Sequence, residues 1–144
     1  AMPYEATNKE PTPLGAIGIS RNGVVFYNQY AGPNNTPLTN EINSFDQYFG
    51  HPQPQGAYHY HIEPTWLTAQ YGRDAFLGFL ADGFPIYGPE ENGTTINNSD
   101  LDDYHGHSHA TTEFPEGIYH YHITDQDPYI NGDGFYGVKG SITN

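Results

Sequence analysis

The tetrapeptide Tyr-His-Tyr-His occurs twice, at 58–61 and 119–122, and each copy closes a series of blocks that is itself repeated. Residues 17–28 (IGISRNGVVFYN) match residues 77–88 (LGFLADGFPIYG), with Gly18/Gly78, Gly23/Gly83 and Tyr27/Tyr87 each 60 apart. Residues 45–51 (FDQYFGH) match 101–107 (LDDYHGH), 56 apart, and 56–62 (GAYHYHI) match 117–123 (GIYHYHI), 61 apart. Three blocks in one order, with small differences in loop length, describe a duplicated chain. The expected domain therefore holds two related halves, about 17–62 and 77–123, around a pseudo-twofold axis.

Within 144 residues there is room for one ordinary domain with a real core. Seventeen Gly, 12 Pro, 13 Tyr and 8 Phe suit short strands and many turns better than helices. The expected class is all-β, sandwich- or barrel-like, with short helical turns. In each half Asn22-Gly23 or Asp82-Gly83, flanked by apolar residues, predicts a β-hairpin with a type I′ turn. Pro85, having no N–H, is expected at an edge or a bulge. Residues 64–71 are the best short-helix candidate, with Thr65 as N-cap. Residues 1–13, with three prolines and no periodicity, predict an extended arm docked on its own body or on a neighbour's, ahead of the duplicated domain at 14–140 and a tail at 141–144. A homo-oligomer through the arm is the bolder expectation, a filament its boldest form.

Successive strand residues face opposite ways, so His59 and His61 share one face, as do His120 and His122, while the tyrosines take the other. If the halves pair about their axis, these four imidazoles converge on one metal ion, and His51 and His107, just upstream, close the site. Neutral imidazole suits transition metals, copper or zinc above all. The bland alternative is a hydrogen-bonded filler between aromatic layers, and for the tyrosines a core role. His105, His107 and His109 alternate too, on a Gly-Ser loop; there a ligand set and a solvated loop remain open, and the repeat supports only His107. Asp46 and Asp102 recur in both halves, either orienting a ligand imidazole or capping a turn.

Asp125, Asp127 and Asp133, with Asn131, form a weaker acidic group that suits calcium in type but not in spacing; turn chemistry competes with that reading. Asn34, Asn92 and Asn97 lie in glycosylation triplets. Seventeen Asp and Glu against four Lys and Arg give a net charge of −13, which repels a phosphate backbone and argues against nucleic-acid binding. Thiolate sites and disulfides are excluded, because the chain has no Cys. No apolar run approaches the roughly 20 residues that span a bilayer.

The ordered motifs Gly-His-Pro…Gly-Ala-Tyr-His-Tyr-His (50–61), Leu-Gly-Phe-Leu-Ala-Asp-Gly-Phe-Pro-Ile-Tyr-Gly-Pro (77–89) and Phe-Pro-Glu-Gly-Ile-Tyr-His-Tyr-His-Ile-Thr (114–124), then Pro128-Tyr129, resemble the YHYH-domain proteins over about residues 14–140. The resemblance implies a secreted, β-rich domain. Many members carry cysteines near the Asp-x-x-x-Gly-His blocks; Tyr48, Tyr104 and Gly132-Asp133-Gly134 stand there instead, so no disulfide is inferred. The leading expectation is a secreted metal-binding protein with a structural or surface role, since no acid–base pair stands out. A copper redox enzyme or zinc hydrolase, and a carbohydrate or small-ligand binder, are the alternatives. Solvent access at the His cluster favours the enzyme, and a closed cluster favours structure.

Overall fold

A computed structural model describes residues 2–31, 36–38, 46–47, 50–52 and 58–140. Short β-branched and aromatic runs, punctuated by Gly, Asn and Asp, form β1 (Ala16–Ser20), β2 (Val25–Tyr27), β3 (Tyr30–Ala31), β4 (Thr36–Pro37), β5 (Gly50–Pro52) and β6 (Tyr58–Tyr60). The helix α1 (Thr65–Tyr71) separates them from β7 (Phe76–Leu80), β8 (Pro85–Tyr87), β9 (Glu90–Glu91), β10 (Thr94–Thr95), β11 (Gly106–His109) and β12 (Ile118–His122). Eight strands make one sheet in the order β11-β12-β8-β7-β1-β2-β6-β5. That order is the same from either end once each strand is replaced by its repeat partner. At its centre β1 and β7 run antiparallel with the equivalent residues Ile19 and Phe79 paired, so the pseudo-twofold passes between them. The fold is all-β and sandwich-like, and the sheet does not close into a barrel.

Alternation places the core. Ile17 and Leu77 point inward with Phe26, Ile86, Tyr60 and Tyr121, while Ile19 and Phe79 face out. Each fully buried aliphatic or Phe side chain contributes about 1.5–3 kcal/mol of transfer free energy. The Tyr-His-Tyr-His tyrosines are structural. Tyr58 donates to Asp46 Oδ2 at 2.6 Å, Tyr119 to Asp102 at 2.9 Å, and Tyr121 to Asp82 Oδ2 at 2.5 Å, while the Asn22 amide donates to Tyr60 Oη at 3.2 Å. In both halves, then, turn residues hold the phenols on the core side, which fixes the histidines on the other.

Several expectations are corrected. In the loops of the β1–β2 and β7–β8 hairpins φ is positive at Gly23 (84°) and Gly83 (85°) alone, and Ser20 and Leu80 each donate to the carbonyl four residues on. These are three-residue loops with a left-handed Gly, not type I′ turns. Pro85 lies in an interior strand, tolerated as its first residue because the pairing with β12 starts at Ile86. Thr65 is the first helical residue; Pro64 stands at the N-cap with no side-chain cap.

The arm docks in cis. Ala6 N–H donates to Tyr136 O (3.0 Å), Phe135 N–H to Glu10 O (2.8 Å), Thr12 N–H to Asp133 O (2.9 Å) and Val138 N–H to Tyr4 O (3.2 Å). Lys9 sits 5.0 Å over the Tyr136 ring, and Tyr136 stacks on Tyr119 at 3.6 Å. The chain's own C-terminal segment thus supplies contacts that offset the arm's ordering entropy.

Candidate metal centre

The order of strands decides which histidines meet. β6 and β12 are five strand steps apart, on the order of 24 Å at about 4.8 Å per step, so His59 and His61 do not join His120 and His122 around one ion. The single four-histidine site is overturned: the halves join through β1 and β7, not through their histidine faces.

In the second half His120 and His122 project from β12 as residues i and i+2, and His107 on β11 is in register opposite His120. The fourth member is Glu91. Asn92-Gly93, with φ of 51° and 77°, turns β9 into β10 with a two-residue loop, the geometry of a type I′ turn, and this hairpin sets Glu91 over the histidine face. One donor atom from each of Glu91, His107, His120 and His122 lies within 4.8 Å of the others, a group that could hold a metal ion. Glu91 Oε1 is 3.2 Å from His120 Nε2 and 3.7 Å from His122 Nε2; Oε2 is 3.3 Å from His107 Nε2 and 3.2 Å from His109 Nδ1.

Protonation follows from the partners on the far side of each ring. His120 Nδ1 meets Ile118 O at 2.9 Å and His122 Nδ1 meets Gly88 O at 2.8 Å. A carbonyl only accepts, so both Nδ1 atoms carry the hydrogen and a neutral ring leaves Nε2 as a bare lone pair. The backbone carbonyls thereby orient the rings as outer partners of a metal ligand do. Burial pulls the His122 imidazole down to about 4, and pulls His107 and His120 below their ordinary value as well. Burial works against ionisation of Glu91, yet the imidazoles around it, His107 foremost, outweigh that and hold the carboxyl below its ordinary value. Near neutrality an anion therefore faces neutral acceptors. The Nε2 atoms of His107 and His122 are buried without a hydrogen-bond partner. Acceptors converge here, an arrangement that a cation between them would satisfy.

The first half has related geometry with different chemistry. His61 Nδ1 meets Asn28 O at 2.6 Å, as His122 meets Gly88, but His59 Nε2 and His61 Nε2 lie 3.1 Å apart, and His59 stacks on Tyr27 at 4.0 Å. Ala31 stands 60 residues before Glu91, so no carboxylate is supplied at that position. His51 is in register opposite His59, and its side chain lies outside the described residues.

Asp46 and Asp102 cap turns: Asp102 Oδ1 accepts from Tyr104 N (2.9 Å) and Gly106 N (3.1 Å), and Asp46 Oδ1 from Gly50 N (3.2 Å), besides the phenols above. The calcium group is dispersed. Asp125 pairs with Arg73 at 2.9 Å, the Asp127 carbonyl accepts from Asn98, and Asp133 Oδ1 accepts from Gln29 (2.8 Å) and Tyr30 (3.1 Å). Asn131 bonds the carbonyls of Tyr104 and Gly134. Of the glycosylation triplets, Asn92 is exposed at the β9–β10 tip, Asn97 is exposed, and Asn34 lies outside the described residues. His105 is buried between Asn98 and Thr124. The reading from sequence missed Glu91. Its signal was there in Glu-Glu-Asn-Gly-Thr-Thr, a type I′ dipeptide that follows paired carboxylates.

Fold and site together define a duplicated all-β domain with one His/Glu cluster among the described residues. The family model for YHYH proteins matches residues 1–95 and 89–134, and the chain belongs to the YHYH family. No curated protein and no solved structure matches it.

Proposed function

We propose that this protein binds one transition-metal ion per chain through His107, His120, His122 and Glu91. The observation that carries the reading is the convergence of bare, buried imidazole nitrogens on an ionised carboxylate. Three nitrogen donors and one oxygen suit zinc or copper(II), and serve calcium poorly. Among the described residues no carboxylate of the first half takes the place of Glu91, where the sequence has Ala31. His59 Nε2 and His61 Nε2 lie 3.1 Å apart, turned on each other and not on a carboxylate donor set like that of Glu91, so the ion is assigned to the second half. A cleft against Glu91 and His122 supports a second reading, a metalloenzyme, over a sealed structural site.

Metal analysis of the purified protein tests the assignment. The wild type should hold one equivalent, His59→Ala should keep it, and His122→Ala should lose it together with the chelator-sensitive part of the melting temperature. Full metal content in His122→Ala refutes the site.

A further inference from the structure

A cleft of about 310 Å3 opens beside Glu91 and His122, between the end of α1, the 74–76 segment, the β9–β10 hairpin and residues 110–113. His122 lines it although the residue is only 1% exposed, and its Nε2 has no hydrogen-bond partner. The volume lies at the lower end of small-molecule pockets, so a compact ligand fits.

The walls carry Asp74, Glu90 and Glu113 besides Glu91, against one lining cation, Arg21. That guanidinium lies 3.7 Å over the Tyr71 ring with Nη1 donating to Phe76 O at 3.3 Å; it keeps its charge, and the lining is still net acidic. Arg73 offsets Glu90 at 3.4 Å, and Glu113 accepts from the Tyr87 hydroxyl at 2.9 Å, which leaves its charge in place. We infer that this cleft admits a compact, neutral or cationic donor molecule that completes the coordination of the metal, and that its carboxylate walls turn small anions away. The inference rests on the metal reading above and adds the class of ligand to it. A charge that lines the same cleft as Glu91 and His122 acts through a partly desolvated medium, where a single charge changes an affinity several-fold.

Cobalt(II)-loaded protein provides the test, because visible absorption reports each ligand that reaches the ion. Imidazole, a neutral donor, should shift the bands saturably, and azide should bind weakly. In Asp74→Asn/Glu113→Gln azide should bind on the order of tenfold tighter while imidazole is unmoved. Asp74→Asn alone, at an exposed position, should shift azide the same way by less, and it serves if the double variant does not fold. Bands that neither probe moves overturn the inference and leave a sealed metal site. Equal azide affinity in wild type and variants overturns it too, since the walls then do not face the ion. A protein that holds no cobalt(II), copper(II) or zinc refutes the metal reading, and this inference with it.

Discussion

At Glu91 one carboxylate has two opposite effects. In the metal-free protein it confronts lone pairs on His120 and His122, and with the proposed cation present it would become a ligand. Glu91→Gln separates the two. The amide can donate to a bare Nε2, so the metal-free variant should be more stable by about 1 kcal/mol in urea unfolding. Its metal affinity should fall by more than the roughly 10–100-fold that loss of an outer partner costs. His109, half exposed at the rim, should tolerate Ala with stoichiometry unchanged, which competition against a chelator would check. Acid reports on the same cluster. The folded His122 titrates at about 4 against 6.5 for the free side chain, so the unfolded chain takes up its proton first. Metal-free stability is therefore full above about pH 6.5 and is lost as pH falls toward 4, on the order of 3 kcal/mol from this residue. His105, His107 and His120 act in the same direction. Bound metal should steepen the loss without being its sole cause, so a chelator should reduce the acid sensitivity of the melting temperature, not abolish it. A melting temperature that is flat from pH 7 to 4.5 without metal would contradict the assignment.

The elements that hold the cluster depend on close approach. Gly106 leaves room for the Tyr119 ring to reach Asp102: a Cβ there would lie 2.4 Å from Tyr119 Oη and 2.6 Å from His120 O. Gly106→Ala should cost about 1–3 kcal/mol and weaken metal binding with it, because β11 and β12 carry three of the four donors. Paired measurement of urea midpoint and metal content checks this. Both hairpins and the division of Tyr and His between two faces were legible in the sequence, since each follows from local turn residues or a period of two; the helix over 65–71 was legible too, but not its cap. The order of the sheet was not. The repeat announces a dyad, and no local pattern says whether the halves meet through their histidine strands or through β1 and β7. Glu91 escaped for a related reason: with Ala31 as its counterpart, it lies outside everything the repeat marks.

For the whole molecule, the arm closes the structure on itself. Deleting residues 2–12 removes the hydrogen bonds to 133–138, among them the one that Phe135 N–H gives to Glu10 O, and leaves those backbone groups unpaired. The intact protein should sediment as a monomer at every concentration, and the truncated one should melt lower and associate through the bared segment. A full-length dimer that disappears on truncation would restore docking of the arm between copies. The pairing of Ile19 with Phe79 reaches further. A strand that meets its own repeat across a dyad is the seam that two identical half-length polypeptides would use, so the modern chain has the layout of a fused homodimer. Fusion frees its two copies from identity. One can keep the shape of the pocket while its neighbour acquires a carboxylate, and chemistry can diverge on one side of the axis without disturbing the frame they share.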